Sequence, residues 1–226
     1  MIRAQILQGR LPIRSPNDIT AKYLTLVLDV TACAVMNILS KHAPLYFYRD
    51  SMSDLRSPLP TGTWTLYFHA PREKRWSIDT FKPIMKCSTL EQVVSVFHEM
   101  GDKLKRGMYF MMRDPVPPLW ENYQNIRGGS YSVRGSADTG IDIYKHYVIS
   151  SVLNLSVTDP EDTIVGISVS PKIVNGANNT SKVGFYVIKI WNKDSSKFNV
   201  PSSLNLVHPK LLPSDIMYTP HVDKKM

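Results

Sequence analysis

The chain has 226 residues, of which 43% are hydrophobic, 20% charged and 10% aromatic. That balance excludes a disordered polymer and suits one globular domain with extra material or a tail. Lys and Arg outnumber Asp and Glu by 27 to 19, for a net charge of +8 and a pI near 9.4, so an anionic partner is favoured: nucleic acid, a phosphorylated ligand or a membrane surface.

Residues 1–20 lack the basic start, apolar core and cleavage site of a signal peptide. The longest apolar stretch, Tyr23 to Leu39, is broken by Asp29 and Asn37, too short and too polar to span a bilayer. The expectation is a soluble, cytoplasmic or nucleocytoplasmic protein with Cys33 and Cys87 reduced. Residues 1–57 read as an N-terminal extension, partly ordered where the Tyr23 to Leu39 run finds a surface. The Pro58, Pro60 and Gly62 cluster marks the boundary, which leaves a domain over 58–226.

From there the patterns sharpen. Trp64, Leu66 and Phe68 alternate with Thr65 and Tyr67, the period of a half-buried strand. Ser88 with Glu91 reads as a capping box, and Leu90, Val93, Val94, Phe97 and Met100 recur at helical spacing until Gly101. Met108 to Met112 and Tyr131 to Val133 read as short strands. Ile141, Tyr144, Val148, Val152 and Leu155 outline a second helix, weakened by Ser150 and Ser151. Thr163 to Ser170 and Val183 to Trp191 read as paired strands joined by the polar loop Asn175 to Ser181. A third helix is expected from Ser202 or Ser203, and a last strand at Ile216 to Tyr218. The order predicts an α+β domain: short antiparallel strands in a sheet with helices on one face.

Catalytic signatures are missing from the sequence. There is no Gly-rich phosphate loop, metalloprotease helix, paired-cysteine zinc framework or nucleophile elbow. The six histidines are scattered without metal-ligand spacing. No catalytic residue, metal or cofactor is expected.

The four tryptophans stand at 64, 76, 120 and 191. Trp64, on its alternating strand, reads as core. Trp76 follows the polar run Arg72-Glu73-Lys74-Arg75, where a core tryptophan is out of place, and Trp120 ends a proline-rich loop beside Glu121. Two loop indoles with a carboxylate suit a planar, positively charged base. A 7-methylated guanine is such a cation, attracted to an indole on each face, and its ring N–H and exocyclic amine can both donate to one carboxylate.

The segment from Thr63 to Val133 resembles the cap-binding translation initiation factor 4E family. The resembling residues are Trp64 to Phe68, Lys74-Arg75-Trp76, the helix from Ser88 to Met100, and Pro118-Leu119-Trp120-Glu121 followed by Arg127-Gly128-Gly129. The likeness continues more weakly through Gly166 to Lys172, Ile190-Trp191, and Leu212-Pro213 to Tyr218, His221 and Asp223, about three-quarters of the chain. It implies a curved antiparallel sheet, with the cap slot on the concave face and about three helices on the convex face. It also implies that Trp76 and Trp120 stack on the base, Glu121 reads guanine, the Trp120 N–H meets the guanine carbonyl, and Trp191 meets the methyl group. Lys172, with Lys182 or Lys189 as a second cation, would hold the cap phosphates, and His221 would lie near the cap. The implied partners are capped mRNA and a scaffold or regulatory protein on the helical face, with the chain itself monomeric and off the membrane.

The likeness departs at two places. Ser130 stands where the family often has a phosphate-binding arginine, with Arg134 or Lys172 as compensating cations, and Arg127 reads as a loop buttress. On the helical side, the position of a family tryptophan that receives partner peptides is Val94. The neighbouring partner positions are Pro58, Leu59, Leu90, His146, Tyr147 and Ser150. Either a different partner docks there or the N-terminal run covers the surface. A cap-binding repressor that recruits no scaffold, and a cap-processing enzyme, stand as alternatives to an initiation factor.

Overall fold

The structure is a computed structural model that describes residues 55–175 and 181–222. The Tyr23 to Leu39 run, Cys33, most of the Asn175 to Lys182 loop and Asp223 lie outside the described residues. Seven strands form one sheet: β1 (Trp64–His69), β2 (Lys82–Cys87), β3 (Met108–Arg113), β4 (Gly129–Ser136), β5 (Ile164–Asn175), β6 (Ser181–Asn192) and β7 (Ile216–Pro220). Their order is β2-β1-β3-β5-β6-β4-β7 and every pairing is antiparallel. Two helices, α1 (Leu90–Met100) and α2 (Gly140–Val152), cover one face. The expected α+β class stands, with a correction: the described residues hold two α-helices, not about three.

The third helix fails for a local reason. Pro201–Ser203 forms only a single 3-10 turn, after which the chain runs extended. The Asn205 N–H donates to the Ser156 carbonyl at 2.9 Å, and Leu204 bridges to Val157. Backbone pairing with 156–158 takes the groups a helix would need. The second helix stops at Val152, short of Leu155, because Asn154 adopts φ 59° and the Leu155 N–H turns back to the Ser150 carbonyl at 2.7 Å.

Helix α1 matches its predicted span, but its cap is one residue further along. Thr89 accepts from the Gln92 N–H, and the Gln92 side chain reaches back to the Thr89 N–H, so the box is Thr89–Gln92 rather than Ser88–Glu91. At its end, Gly101 sits at φ 46°, a conformation that disfavours a side chain. Strand β2 was not predicted. Its Pro83 and mostly exposed side chains hide any period, as suits an edge strand held by its pairing with β1.

Alternation along the strands builds two apolar clusters, one on each face. Trp64 and Leu66 (β1), Tyr109 and Met111 (β3), Tyr131 and Val133 (β4), and Tyr186, Ile188 and Ile190 (β6) face the helices and meet Val93, Phe97, Tyr144 and Val148. The opposite face carries a smaller cluster of Phe81, Phe110, Met112, Val165 and Trp191, with Tyr67, Val116 and Leu119 packed against it. Strand β3 is apolar on both faces because it supplies both clusters. Cys87 is buried in the larger cluster, and burial pushes its thiol up to about 11, which keeps it unreactive at neutral pH.

Candidate functional site

The smaller cluster is the floor of the candidate site. Phe81 and Phe110 meet edge to face at 5.2 Å, and Phe110 meets Trp191 the same way at 6.3 Å. Trp191 is 6% exposed, and its indole N–H donates to Ser168 Oγ at 3.1 Å. The ring is thereby fixed in orientation, not merely buried.

Trp76 stands at one side of this floor, 50% exposed, with its ring 6.0 Å from Phe81 and 6.5 Å from Phe110. The buried His69 ring lies parallel behind the indole, 4.5 Å away with 7° between the planes. His69 Nε2 donates to the Arg75 carbonyl at 3.1 Å, which ties the ring behind Trp76 to the backbone just before it. The Arg75 side chain is held by Asp79 at 3.3 Å and Glu73 at 3.5 Å. One face of Trp76 is therefore backed, and its exposure lies elsewhere on the ring.

Trp120 and Glu121 are also exposed, Trp120 by 45%. Their loop is anchored by Leu119, which packs on the floor, and by Asn125, which is fully buried. The Asn125 amide donates to the carbonyls of Pro117 and Leu119, both at 2.8 Å. The Asn125 carbonyl accepts from His221 Nδ1 at 2.8 Å, and the His221 N–H donates to the Gly128 carbonyl at 2.9 Å. The His221 ring stands edge to face with Trp191 at 5.1 Å.

The Arg127-Gly128-Gly129 run has a packing reason. A Cβ on Gly128 would lie 1.9 Å from the Asn192 carbonyl oxygen, and one on Gly129 would lie 2.2 Å from the Tyr218 hydroxyl. Asn192 below them is fully buried: it donates to Asp162 at 2.9 Å and the Phe198 carbonyl at 2.8 Å, and accepts from the Gly129 N–H and the Tyr218 hydroxyl. Tyr131 donates to the same Asp162 at 2.7 Å. Burial pushes the Asp162 carboxyl up, against the lowering effect of these two donors. The Arg127 carbonyl, not its guanidinium, is the buttress, accepting from the Ser195 N–H and hydroxyl at 2.9 and 3.0 Å.

The expected cations lie on the same face of the sheet. Lys189 alternates with the core residues Ile188 and Ile190, and Ser168 stands opposite it on β5. Desolvation, then the neighbouring Lys172 ammonium, lower the Lys189 pKa, so an anion between them would relieve a repulsion. Lys182 is exposed near the start of β6 and pairs with Val174, well along the strand from Trp191. Ser130 is buried opposite Trp191. A separate cavity of about 700 Å³, lined by Ile126, Arg127, Lys193 and Phe198 among others, includes none of the four tryptophans.

Burial lowers the pKa of His221, with Lys189 adding to it, while the Asn125 hydrogen bond and Glu121 act the other way. A histidine pKa depressed on folding means the unfolded chain binds more protons below its own value of about 6.5. This part of the stability is present above that pH and lost as pH falls through it. His208, lowered by burial and by His146, adds in the same sense. Thermal melts between pH 7.5 and 5 are expected to show Tm falling with pH, less steeply in His221→Asn; equal slopes would contradict the assignment.

The partner residues fare differently. Leu59, Leu90, Val94, Tyr147 and Ser150 are all buried. Tyr147 donates to the Asn205 carbonyl at 3.2 Å, and Ser150 to the Tyr147 carbonyl at 3.1 Å. Of the seven expected partner positions, Pro58 is exposed and His146 partly so, and the other five are packed into the core.

The floor residues Phe81 and Phe110, the backing His69 and the anchor Asn125 were not singled out from the sequence. The unbroken apolar run Tyr109-Phe110-Met111-Met112 was the one available signal, since a strand apolar on both faces must pack on both.

Comparison with known proteins agrees with this architecture. The family model described as Eukaryotic initiation factor 4E matches residues 60–225. The Dictyostelium discoideum eukaryotic translation initiation factor 4E is 26% identical over 179 residues, 75% of this chain and 66% of its own length. The Saccharomyces cerevisiae factor is 25% identical over 154 residues, 64% of this chain and 65% of its own length. The match thus spans just under two thirds of these relatives. Among solved structures, Ascaris suum eIF4E-3 with m7G cap aligns with a TM-score of 0.52 at 16% identity, covering 76% of this chain and 94% of that one. A schistosome eIF4E complexed with m7GpppA and 4E-BP aligns at 0.51 and 17%, covering 64% and 75%. At such identity these two bear on the fold, while the family match over most of the chain bears on descent. The chain belongs to the eukaryotic initiation factor 4E family.

Proposed function

We propose that this chain binds the 7-methylguanosine cap of messenger RNA and acts in translation initiation, stacking the base between Trp76 and Trp120 and reading its edge with Glu121. The observation that carries the reading is convergence. Trp76, Leu119 beside Trp120, and Trp191 all rest on one aromatic floor, and His221 on Trp191 feels both Glu121 and Lys189. Two half-exposed indoles, a carboxylate and cations around one cleft are what a cationic base with a phosphate tail requires. Trp191 would meet the methyl group, Lys172 and Lys189 the phosphates, with Lys182 further out, and the Trp120 N–H the guanine carbonyl. The family relation and the cap in the Ascaris and schistosome structures support this reading.

The family consists of binding proteins, which disfavours the cap-processing alternative. Among the described residues no helix is long and apolar enough to cross a membrane. The domain is proposed to cover 58–226 and to act as a cytoplasmic monomer. The 4E-BP in the schistosome structure supports a regulatory protein as second partner. On this chain such a partner would meet a helical face whose family anchor positions are buried, which keeps the repressor reading as the alternative.

The test is Glu121. Hydrogen bonds to a charged group contribute about 1.5–3 kcal/mol each, so Glu121→Ala is expected to cost roughly tenfold or more in 7-methyl-GTP affinity. Preference for 7-methyl-GTP over 7-methyl-ITP, which lacks the exocyclic amine, should collapse in the same variant. A variant that keeps that preference would remove Glu121 from the role.

A further inference from the structure

Beyond Trp191, strand β6 carries a line of side chains on the cleft face: Lys189, Val187 and Phe185, alternating with the core residues Ile190, Ile188 and Tyr186. On β5 their partners are Ser168, Ser170 and Lys172; on β4 they are Ser132, Arg134 and Ser136. Phe185 therefore lies between two cationic strands, with Lys172 directly opposite it and Arg134 diagonal to it. The Arg134 guanidinium stands over the Phe185 ring, 3.9 Å from its centroid. Arg134 and Lys172 are exposed and Phe185 is half-buried. At about 3.4 Å of rise per residue, Lys189 lies about 7 Å and Phe185 about 20 Å along the strand from Trp191.

The order along this line is indole, lysine, then an aromatic ring flanked by two cations, with serine hydroxyls between. A capped strand presents its groups in the same order: methylated base, phosphates, then the base of the first transcribed nucleotide. A guanidinium held over a ring by cation–π attraction is a planar group that can stack on another, and bases stack on arginine planes as they do on aromatic rings.

We propose that Phe185 and Arg134 form a stacking platform for the first nucleotide after the cap, with Lys172 facing the phosphates that lead to it. This rests on the cap reading above. Because every base has a π-face, the platform accepts any first base and favours the larger purines. It extends recognition from the cap to the body of the message without reading sequence.

The test uses tryptophan fluorescence titrations of the full chain with two probes, 7-methyl-GTP and the capped dinucleotide 7-methyl-GpppA. Phe185→Leu, which keeps apolar volume and removes the ring, is expected to weaken dinucleotide binding about fivefold to tenfold while leaving 7-methyl-GTP affinity within about twofold. Arg134→Lys, which keeps the charge and removes the plane, should weaken dinucleotide binding to a similar degree. Equal losses on both probes in Phe185→Leu would overturn the platform in favour of simple packing, and so would wild-type dinucleotide affinity in either variant. Should the unaltered chain fail to bind 7-methyl-GTP, the cap reading falls and the platform with it. Normal 7-methyl-GTP binding with dinucleotide affinity unmoved by Phe185→Leu would sink the platform alone.

Discussion

Trp120→Ala is expected to lower affinity for 7-methyl-GTP by roughly tenfold to a hundredfold, from the ~1–3 kcal/mol that stacking one base on one aromatic ring contributes. The cation–π attraction of a methylated base places the loss toward the upper end. Trp76→Ala should behave alike, so each variant is lost from a cap-analogue resin that retains the unaltered chain. The effect should be confined to binding. Trp120 is exposed on a loop that Leu119 and Asn125 hold independently of the indole, so melting temperature and far-ultraviolet circular dichroism should scarcely move. Trp76 stacks on the buried His69 at 4.5 Å and meets Phe81 and Phe110 at 6.0 and 6.5 Å between centroids, so its removal should cost more stability than that of Trp120 while leaving the chain folded. Retention of Trp120→Ala on the resin would take that residue out of the clamp.

The opposite outcome is expected at Trp64. Its side chain is fully buried between β1 and the helices, and its indole N–H donates to Thr61 Oγ at 2.9 Å. Thr61 in turn donates to the Val152 carbonyl at the end of α2, at 2.7 Å. Trp64→Ala therefore removes a large core ring and the donor that satisfies a buried hydroxyl oxygen. Such truncations cost about 3–5 kcal/mol, a large share of the ~5–15 kcal/mol that holds a domain together. Chemical denaturation should show the midpoint falling sharply or the chain failing to fold, and whatever folded fraction remains should bind 7-methyl-GTP normally. A stable Trp64→Ala protein with impaired binding would reverse the roles given to the tryptophans. The contrast between 64 and 120 separates core from clamp in one pair of variants.

What could be read in the sequence was local. Trp64 on an alternating strand and Trp76 after a charged run carry their environments in their neighbours, and the structure places the first at zero exposure and the second at 50%. Helix α1 was legible from its spacing and Gly101, while the one-residue error in its cap arose because Ser88–Glu91 and Thr89–Gln92 overlap and only coordinates choose between them. What could not be read comes from distant segments. The floor joins β3, β6 and the Phe81 turn; the Asp162–Asn192 network joins β4, β6 and the approach to β5. Neither leaves a period in any single stretch. Strand β2 was hidden because an edge strand is specified by its neighbour. The burial of five of the partner positions was hidden for a related reason: position along a helix was known, but not how deeply that face is covered.

The central claim is that the cleft recognises the positive charge of a methylated guanine, and the direct measurement is titration of the unaltered chain's tryptophan fluorescence with 7-methyl-GTP and with GTP. The two ligands share every group except the methyl and the charge it creates, so the phosphate contacts cancel. With about 0.5–2 kcal/mol of cation–π attraction available at each indole face, the account predicts strong quenching and an affinity for 7-methyl-GTP at least about tenfold above that for GTP. Equal affinities for the two nucleotides would contradict it.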